Sequence, residues 1–428
     1  MNAHPARRES RFAIAILTAL ALILYGLSDK ARTFTFSDAE GYYMYLPALT
    51  MYGFDKIPLK TKEQFSIVEI TGRYYDKYPA GVALLQLPFY LAALGFTAIV
   101  QHEPVDGYSP PFQHAVLLAS LFYVMCGLYL LYRYFRKYYA IPIVVLGLAC
   151  IFFGTNLLYY TFKEPGTAHA YSFFIWTVLL VIAPRIYQSP SWKYFILTGL
   201  TIGLLTWIRP TNILGVLLIL GWDMTSLKTR WSFIRKHLLK YAFLPLPFIV
   251  FSIIQLGLWR HMAGESIFFS YSAEPGFIYW KSPKILQVLF HVHNGLFLYA
   301  PVLLVAVGGL IYGVYQKQKN FILILLILSL ATYAFGSWWV WWFGGAYGHR
   351  CYVDYLPLFL MPLLYSLHTA YQCPKRIWAW SLTLMCIFCI YYSIGMTHAY
   401  HYPWEGPNFG WPEYRAIVKR VVFRGLLP

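Results

Sequence analysis

Residues 80–100 read AGVALLQLPFYLAALGFTAIV, 21 residues without a charged side chain. That length matches the hydrocarbon core of a bilayer, which takes about 20 apolar residues of helix to cross. Whether this run crosses fixes the side of the membrane on which every later loop lies. Comparable runs recur along a chain of 428 residues in which 59% are apolar and only 12% charged. The predicted class is therefore all-α, a polytopic membrane bundle forming one transmembrane domain over 1–428.

Eleven spans are expected, near 11–27, 114–134, 141–160, 168–187, 192–208, 212–225, 241–260, 298–316, 321–340, 355–372 and 377–396. The loops between them alternate in character. One set is short and basic, such as Arg133, Arg136 and Lys137, or Lys228, Arg230, Arg235, Lys236 and Lys240. This set holds 17 of the 34 Lys and Arg residues but, of the 17 acids, only Glu9 and Asp223. By the positive-inside rule these loops are cytoplasmic. The net charge of +17 is thus a topology signal rather than a nucleic-acid footprint. Were 80–100 to cross, RYFRK at 133–137 would lie outside and every later loop would invert. The run is therefore expected to be a juxtamembrane or re-entrant helix within a long first outer loop, 28–113. The N-terminus is then cytoplasmic and the tail, 397–428, extracytoplasmic. RFAIAILTALALILYGL, Arg11 to Leu27, resembles a signal-peptide core, but no small-residue cleavage site follows, so it reads as a retained span. The cysteines give no disulfide framework: Cys126, Cys150, Cys386 and Cys389 fall in spans, and CIFC is a small apolar helix face.

With this topology, the polar residues that packing does not explain gather on the outer side. FSDAEGYY, 36–43, follows the first span directly and carries Asp38, Glu40, Tyr42 and Tyr43. Two readings stand. Ser37 or Asp38 caps a short helix starting near Glu40, or one carboxylate takes a proton from an attacking hydroxyl or amine while its neighbour positions it or holds a cation. Arg209, in IRPTN, is either a snorkelling side chain or a bidentate phosphate ligand. Arg350, in GSWWVWWFGGAYGHRCYVD, invites the same pair of readings, with its tryptophans serving as an interfacial belt or as a sugar platform. Glu164 and His169, in KEPGTAHAYSFF, are loop solvation or part of a cavity shared with the first loop. His293 in HVHNG and His349 in GHR complete the cavity candidates. His291 and His293 alone are a weak metal signal, lacking a third ligand.

In this order the motifs resemble those of the C-type membrane glycosyltransferases, a superfamily that includes the protein O-mannosyltransferases and the lipid A aminoarabinose transferase. The matching pieces are SDAEGYY after the first span, the lysine–proline segment DKYPAGVALLQLPFYL, the acidic KEPGTAHAYSFF and the late WWFGGAYGHRCYVDYLPLF, spread over most of the chain. The resemblance implies the GT-C fold and inverting transfer of a sugar from a polyprenyl-phosphate donor to a protein, lipid or glycan acceptor on the extracytoplasmic face of a bacterial-type inner (plasma) membrane. It implies Asp38 as catalytic base, Glu40 as its companion, and Lys77 as a ligand of the carrier's phosphate, with Arg209 and Arg350 as further cations. Tyr78 departs from the pattern, standing between Lys77 and Pro79 where the commoner form has lysine directly before two prolines. A divalent metal is not favoured, since a full set of acidic ligands is lacking. Membrane lipids are the expected surroundings and nucleic acid is not an expected partner. Two alternatives are a flippase of lipid-linked glycans, disfavoured by the absence of repeats and mid-span charges, and a glycan polymerase or ligase. The tail 397–428 is expected to hold an interfacial amphipathic helix that covers the site.

Overall fold

A computed structural model describes residues 3–28, 32–61, 65–100, 103–265, 275–401 and 404–423. The chain is mostly helical, and its only described sheet is a two-stranded antiparallel hairpin, β1 (Ser66–Val68) and β2 (Arg73–Tyr75), with Ser66 opposite Tyr75. Among the described residues five helices are long and apolar enough to cross a membrane: Gly81–Val100, Pro110–Phe135, Ala168–Gln188, Leu238–Ala263 and Ile377–Ala399. Shorter apolar helices include Arg11–Gly26, Ile141–Phe153, Trp192–Ile208, Val302–Tyr315 and Phe321–Ser337.

The decisive run at 80–100 is a single helix, Gly81–Val100. At 1.5 Å per residue its 20 residues extend about 30 Å, and it has no internal turn by which to leave on the side it entered. The run is thus helical as expected, with Pro88 inside the helix and no break, and its length and composition suit a juxtamembrane helix as well as a span. Other expected spans are interrupted. The helix from Ile141 stops at Phe153 and resumes at Leu157, and the segment near 298 is split between Leu296–Tyr299 and Val302–Tyr315, with Pro301 at the join.

The chain forms two compact units. The first comprises residues 1–129, 160–213 and 234–274. Its centre is the helix Trp192–Ile208, packed against Ala168–Ile182 and Leu246–Ala263. Gly199 and Gly203, four residues apart, explain the second contact. A Cβ on Gly199 would come within 2.6 Å of the Leu244 carbonyl oxygen, and one on Gly203 within 2.9 Å of the Phe248 nitrogen. Small residues at this spacing let helix backbones approach where lipid supplies no hydrophobic drive. On Leu246–Ala263 the side chains of Phe248, Ile249, Val250, Ile253 and Ile254 are exposed while Gln255 is buried. Polar inside and apolar outside is the pattern a lipid solvent selects.

The second unit comprises residues 130–159, 214–233 and 275–428. Val302–Tyr315 packs on Leu356–Gln372, and Leu356–Gln372 on Ile141–Phe153 and Ile377–Ala399. Its core is aromatic, with Tyr299, Tyr347, Tyr352 and Tyr355 fully buried. The amphipathic helix Trp411–Phe423 lies on Ile377–Ala399, where Tyr414 and Tyr392 share a 2.7 Å hydroxyl contact and the Tyr391 hydroxyl donates to the Val421 carbonyl. Of the expected tail, 402–403 and 424–428 lie outside the described residues.

Candidate active site

The SDAEGYY motif occupies a six-residue helix, Asp38–Tyr43, in the first unit. Ser37 stands before it at φ 54°, in the left-handed region, and makes no side-chain cap hydrogen bond. A non-glycine residue there costs on the order of 1–3 kcal/mol and persists only where its surroundings impose it. Here Thr61 Oγ1 accepts the Ser37 N–H at 2.8 Å, and Gln113 Oε1 accepts the N–H groups of Phe34 and Thr35 at 2.8 and 3.1 Å. The cap reading therefore fails for Ser37: the turn is set by contacts distant in sequence.

The two carboxylates have separate environments. Glu40 is fully buried, and its oxygens accept the backbone N–H groups of Lys60 at 2.6 Å and Thr61 at 2.7 Å, together with the Thr61 hydroxyl. Both oxygens are thereby committed to holding the 60–61 backbone. Asp38 is half-buried, and its Oδ1 accepts the Tyr78 hydroxyl at 2.6 Å. Tyr78 belongs to the lysine–proline segment, so the fold brings the first two motifs into contact. The contact depends on Gly41, where a Cβ would come within 2.1 Å of the Tyr78 ring and 3.1 Å of Asp76 Oδ1. Tyr42 lies against the Tyr78 ring at 4.8 Å, and Lys77 Nζ lies 5.5 Å from the centre of the same ring. Tyr43 instead enters the core and donates its hydroxyl to the Gly107 carbonyl.

The third motif arrives through another close approach. A Cβ on Gly166 would lie 2.7 Å from Ala39 Cβ and 2.9 Å from the Phe34 carbonyl oxygen, so the KEPG turn containing Glu164 sits directly on SDAE. His169, buried two residues further on from Thr167, accepts a hydrogen bond at Nδ1 from Arg209 Nη1 at 3.1 Å. Arg209 is half-buried and follows the C-terminus of Trp192–Ile208. The start of Gly81–Val100 touches the same place, since a Cβ on Gly81 would meet the Ile208 nitrogen at 2.7 Å. The first unit thus gathers Asp38, Glu40, Lys77, Glu164, His169 and Arg209 around a single set of packed turns.

Beside them a cavity of about 410 Å³ opens, apolar in lining, bounded by Pro79, Trp207, Pro210, Phe251, Gln255 and Trp259 among others. Trp207 and Phe251 stack at 4.8 Å. Gln255 fastens this wall: its Oε1 accepts the Ala80 N–H and the Trp207 indole N–H, both at 2.9 Å, and its amide donates to the Tyr45 hydroxyl at 3.3 Å. The Tyr45 hydroxyl in turn donates to the Tyr78 carbonyl at 2.6 Å, and the Trp259 indole to the Asp76 carbonyl at 3.1 Å.

Asp76, Tyr78, Gln255 and Trp259 were not among the residues expected from the sequence. Asp76 stands beside Lys77 and reads as half of a solvated pair, yet it is fully buried. Burial, with Glu40 nearby as a smaller contribution, holds its carboxyl well above the ordinary carboxylate range, against the lowering effects of the Tyr78 N–H and Lys77. The usable signal for Gln255 was an amide in the middle of an apolar run.

Arg350, His349 and His293 belong to the second unit. Arg350 opens a 3₁₀ turn, Arg350–Val353, and is half-buried. Gly344 and Gly348 adopt φ 73° and 63°, conformations that favour glycine, and a Cβ on Gly348 would press on Tyr299 at 2.9 Å. His349 is packed between Phe335, Phe343 and Tyr352, its Nε2 donating to the Trp341 carbonyl at 3.1 Å. His293 donates from Nε2 to the Phe409 carbonyl at 2.8 Å, and its backbone N–H donates to His291 Nδ1 at 3.1 Å. Those bonds engage one ring nitrogen of each histidine, Nδ1 of His291 and Nε2 of His293. Among the described residues no three His, Cys, Asp or Glu side chains converge as a metal set.

No protein-family model matches the chain, and no curated protein matches it in sequence.

Proposed function

We propose that this protein is a polytopic membrane glycosyltransferase of the C type, with eleven spans, a cytoplasmic N-terminus and an extracytoplasmic site. In this reading it moves a sugar from a polyprenyl-phosphate donor to an acceptor outside the membrane, with inversion. The observation that carries the reading is the hydrogen bond from Tyr78 to Asp38, which joins the acidic motif after the first apolar helix to the lysine–proline segment. Chemistry of this kind needs a base for the acceptor next to cations for the departing phosphate.

In the proposed step, Asp38 takes the proton of the acceptor hydroxyl or amine as that atom attacks the anomeric carbon. The bond from that carbon to the carrier's phosphate oxygen breaks, and its electron pair leaves with the phosphate. Lys77 and Arg209 receive the charge. Glu40, with both oxygens bound to the 60–61 backbone, supports the site rather than reacting. The charge distribution of the loops supports the orientation, and the apolar cavity next to Pro79 and Pro210 is compatible with a lipid-linked donor.

Purified protein offered a panel of polyprenyl-phosphate sugars should transfer one of them to an acceptor. Asp38→Asn should lower kcat by roughly 10²- to 10⁴-fold, the range for loss of a general base. Full transfer by that variant would remove Asp38 from the chemistry. Absence of transfer with every donor, together with carrier translocation in liposomes, would favour the flippase.

A further inference from the structure

We propose that Asp76 is the positioning residue of the Asp38 carboxylate, acting through Tyr78. The proposal rests on the reading above that Asp38 is the base. Tyr78 is gripped at three points: its N–H donates to Asp76 Oδ1 at 2.9 Å, its carbonyl accepts the Tyr45 hydroxyl at 2.6 Å, and its own hydroxyl donates to Asp38 Oδ1 at 2.6 Å. Its ring fills the space above Gly41, which any side chain there would take. Held in this way the phenol fixes the direction of the Asp38 carboxylate through its Oδ1. An aligned base is worth far more than a nearby one, because misplacement of the reacting groups is costly.

Burial favours the protonated form of the Asp76 carboxyl. Its carboxyl is fully buried, and among the described residues no group hydrogen-bonds its Oδ2. Among the described residues the titratable groups facing it are Glu40 and Tyr45 from the segment before the loop and Lys77 beside it. From Leu246–Ala263 it meets Trp259, which does not titrate. A second negative charge next to buried Glu40 would be opposed by both desolvation and repulsion. Since folding raises this carboxyl's pKa, the stability it contributes is fully present below the unfolded carboxylate range and is lost as pH rises through the folded value.

The test uses the full-length protein in nanodiscs, with Asp76→Asn, Asp76→Ala, Tyr78→Phe and the double variant Asp76→Ala/Tyr78→Phe. Asp76→Ala and Tyr78→Phe should each lower kcat about tenfold with little change in donor KM, and the double variant should fall no further. Asp76→Asn, the neutral isostere, should stay within about threefold of wild type. Its melting temperature relative to wild type should rise steadily as the pH is raised. Additive losses, an Asn variant as poor as the Ala variant, or a melting difference that ignores pH would each overturn the proposal. If the wild type transfers nothing, the transferase reading fails by itself. The cycle of Asp76→Ala with Asp38→Asn, read in melting temperature, then still decides: coupled effects uphold the link and additive ones break it.

Discussion

Asp38 and Glu40 are separated by a single residue, yet the fold gives them different surroundings. Glu40 accepts two backbone N–H groups and a hydroxyl from Lys60 and Thr61, so it behaves as part of the backbone of its loop. Glu40→Gln would turn an amide donor towards another donor. It should destabilise by about 1–3 kcal/mol, the cost of a buried unsatisfied polar group, and appear as a lower melting temperature. Transfer per folded molecule should change far less than with Asp38→Asn, and an equal loss would show that Glu40 takes part in the chemistry. The sequence disclosed both acids but could not separate their roles, because what separates them lies 21 and 40 residues away, at Thr61 and Tyr78. Asp76 escaped notice for a related reason: next to a lysine it looks solvated, and burial is a property of the whole packing.

At the scale of elements, the apolar helices were legible because length and hydropathy report them directly. Interruptions within them were less so. The break after Phe153 comes where Gly154 and Thr155 follow, and the one at Ala300 comes before Pro301, both weak marks inside apolar runs. The reading of 80–100 illustrates the limit. Charge counting assigns sides to loops, but it does not say whether a helix has a turn inside it, and Gly81–Val100 has none. The helix Leu246–Ala263 depends on one amide. Gln255→Leu would strip the Ala80 N–H and the Trp207 indole of their acceptor, costing about 1–3 kcal/mol for the buried Ala80 N–H and less for the half-buried indole. Thermal unfolding in detergent should detect it, whereas Leu256→Ala, on the partly exposed side of the same helix, should cost much less. Equal losses from the two would deny Gln255 its fastening role.

At the scale of the whole molecule, the expected topology makes a prediction that needs no substrate. In sealed right-side-out vesicles a membrane-impermeant thiol reagent should label Lys56→Cys, an exposed position of the first outer loop, and should leave Cys373 unlabelled until the membrane is opened. Labelling of Cys373 from outside would invert the assignment. The contacts that bring the motifs together could not be read from spacing, since they rest on glycines at 41, 81 and 166, each chosen by a neighbour far along the chain. The same fact bears on biogenesis. Every group that Gln255 bonds, in Tyr45, Ala80 and Trp207, is made before it, the nearest 48 residues earlier. While the nascent chain is shorter than that, the Trp207 indole and the Ala80 amide wait without their acceptor. The ribosome must therefore extend past residue 255 before the wall beside the candidate base can close, and a chain truncated at residue 240 should leave the Asp38 helix open to protease.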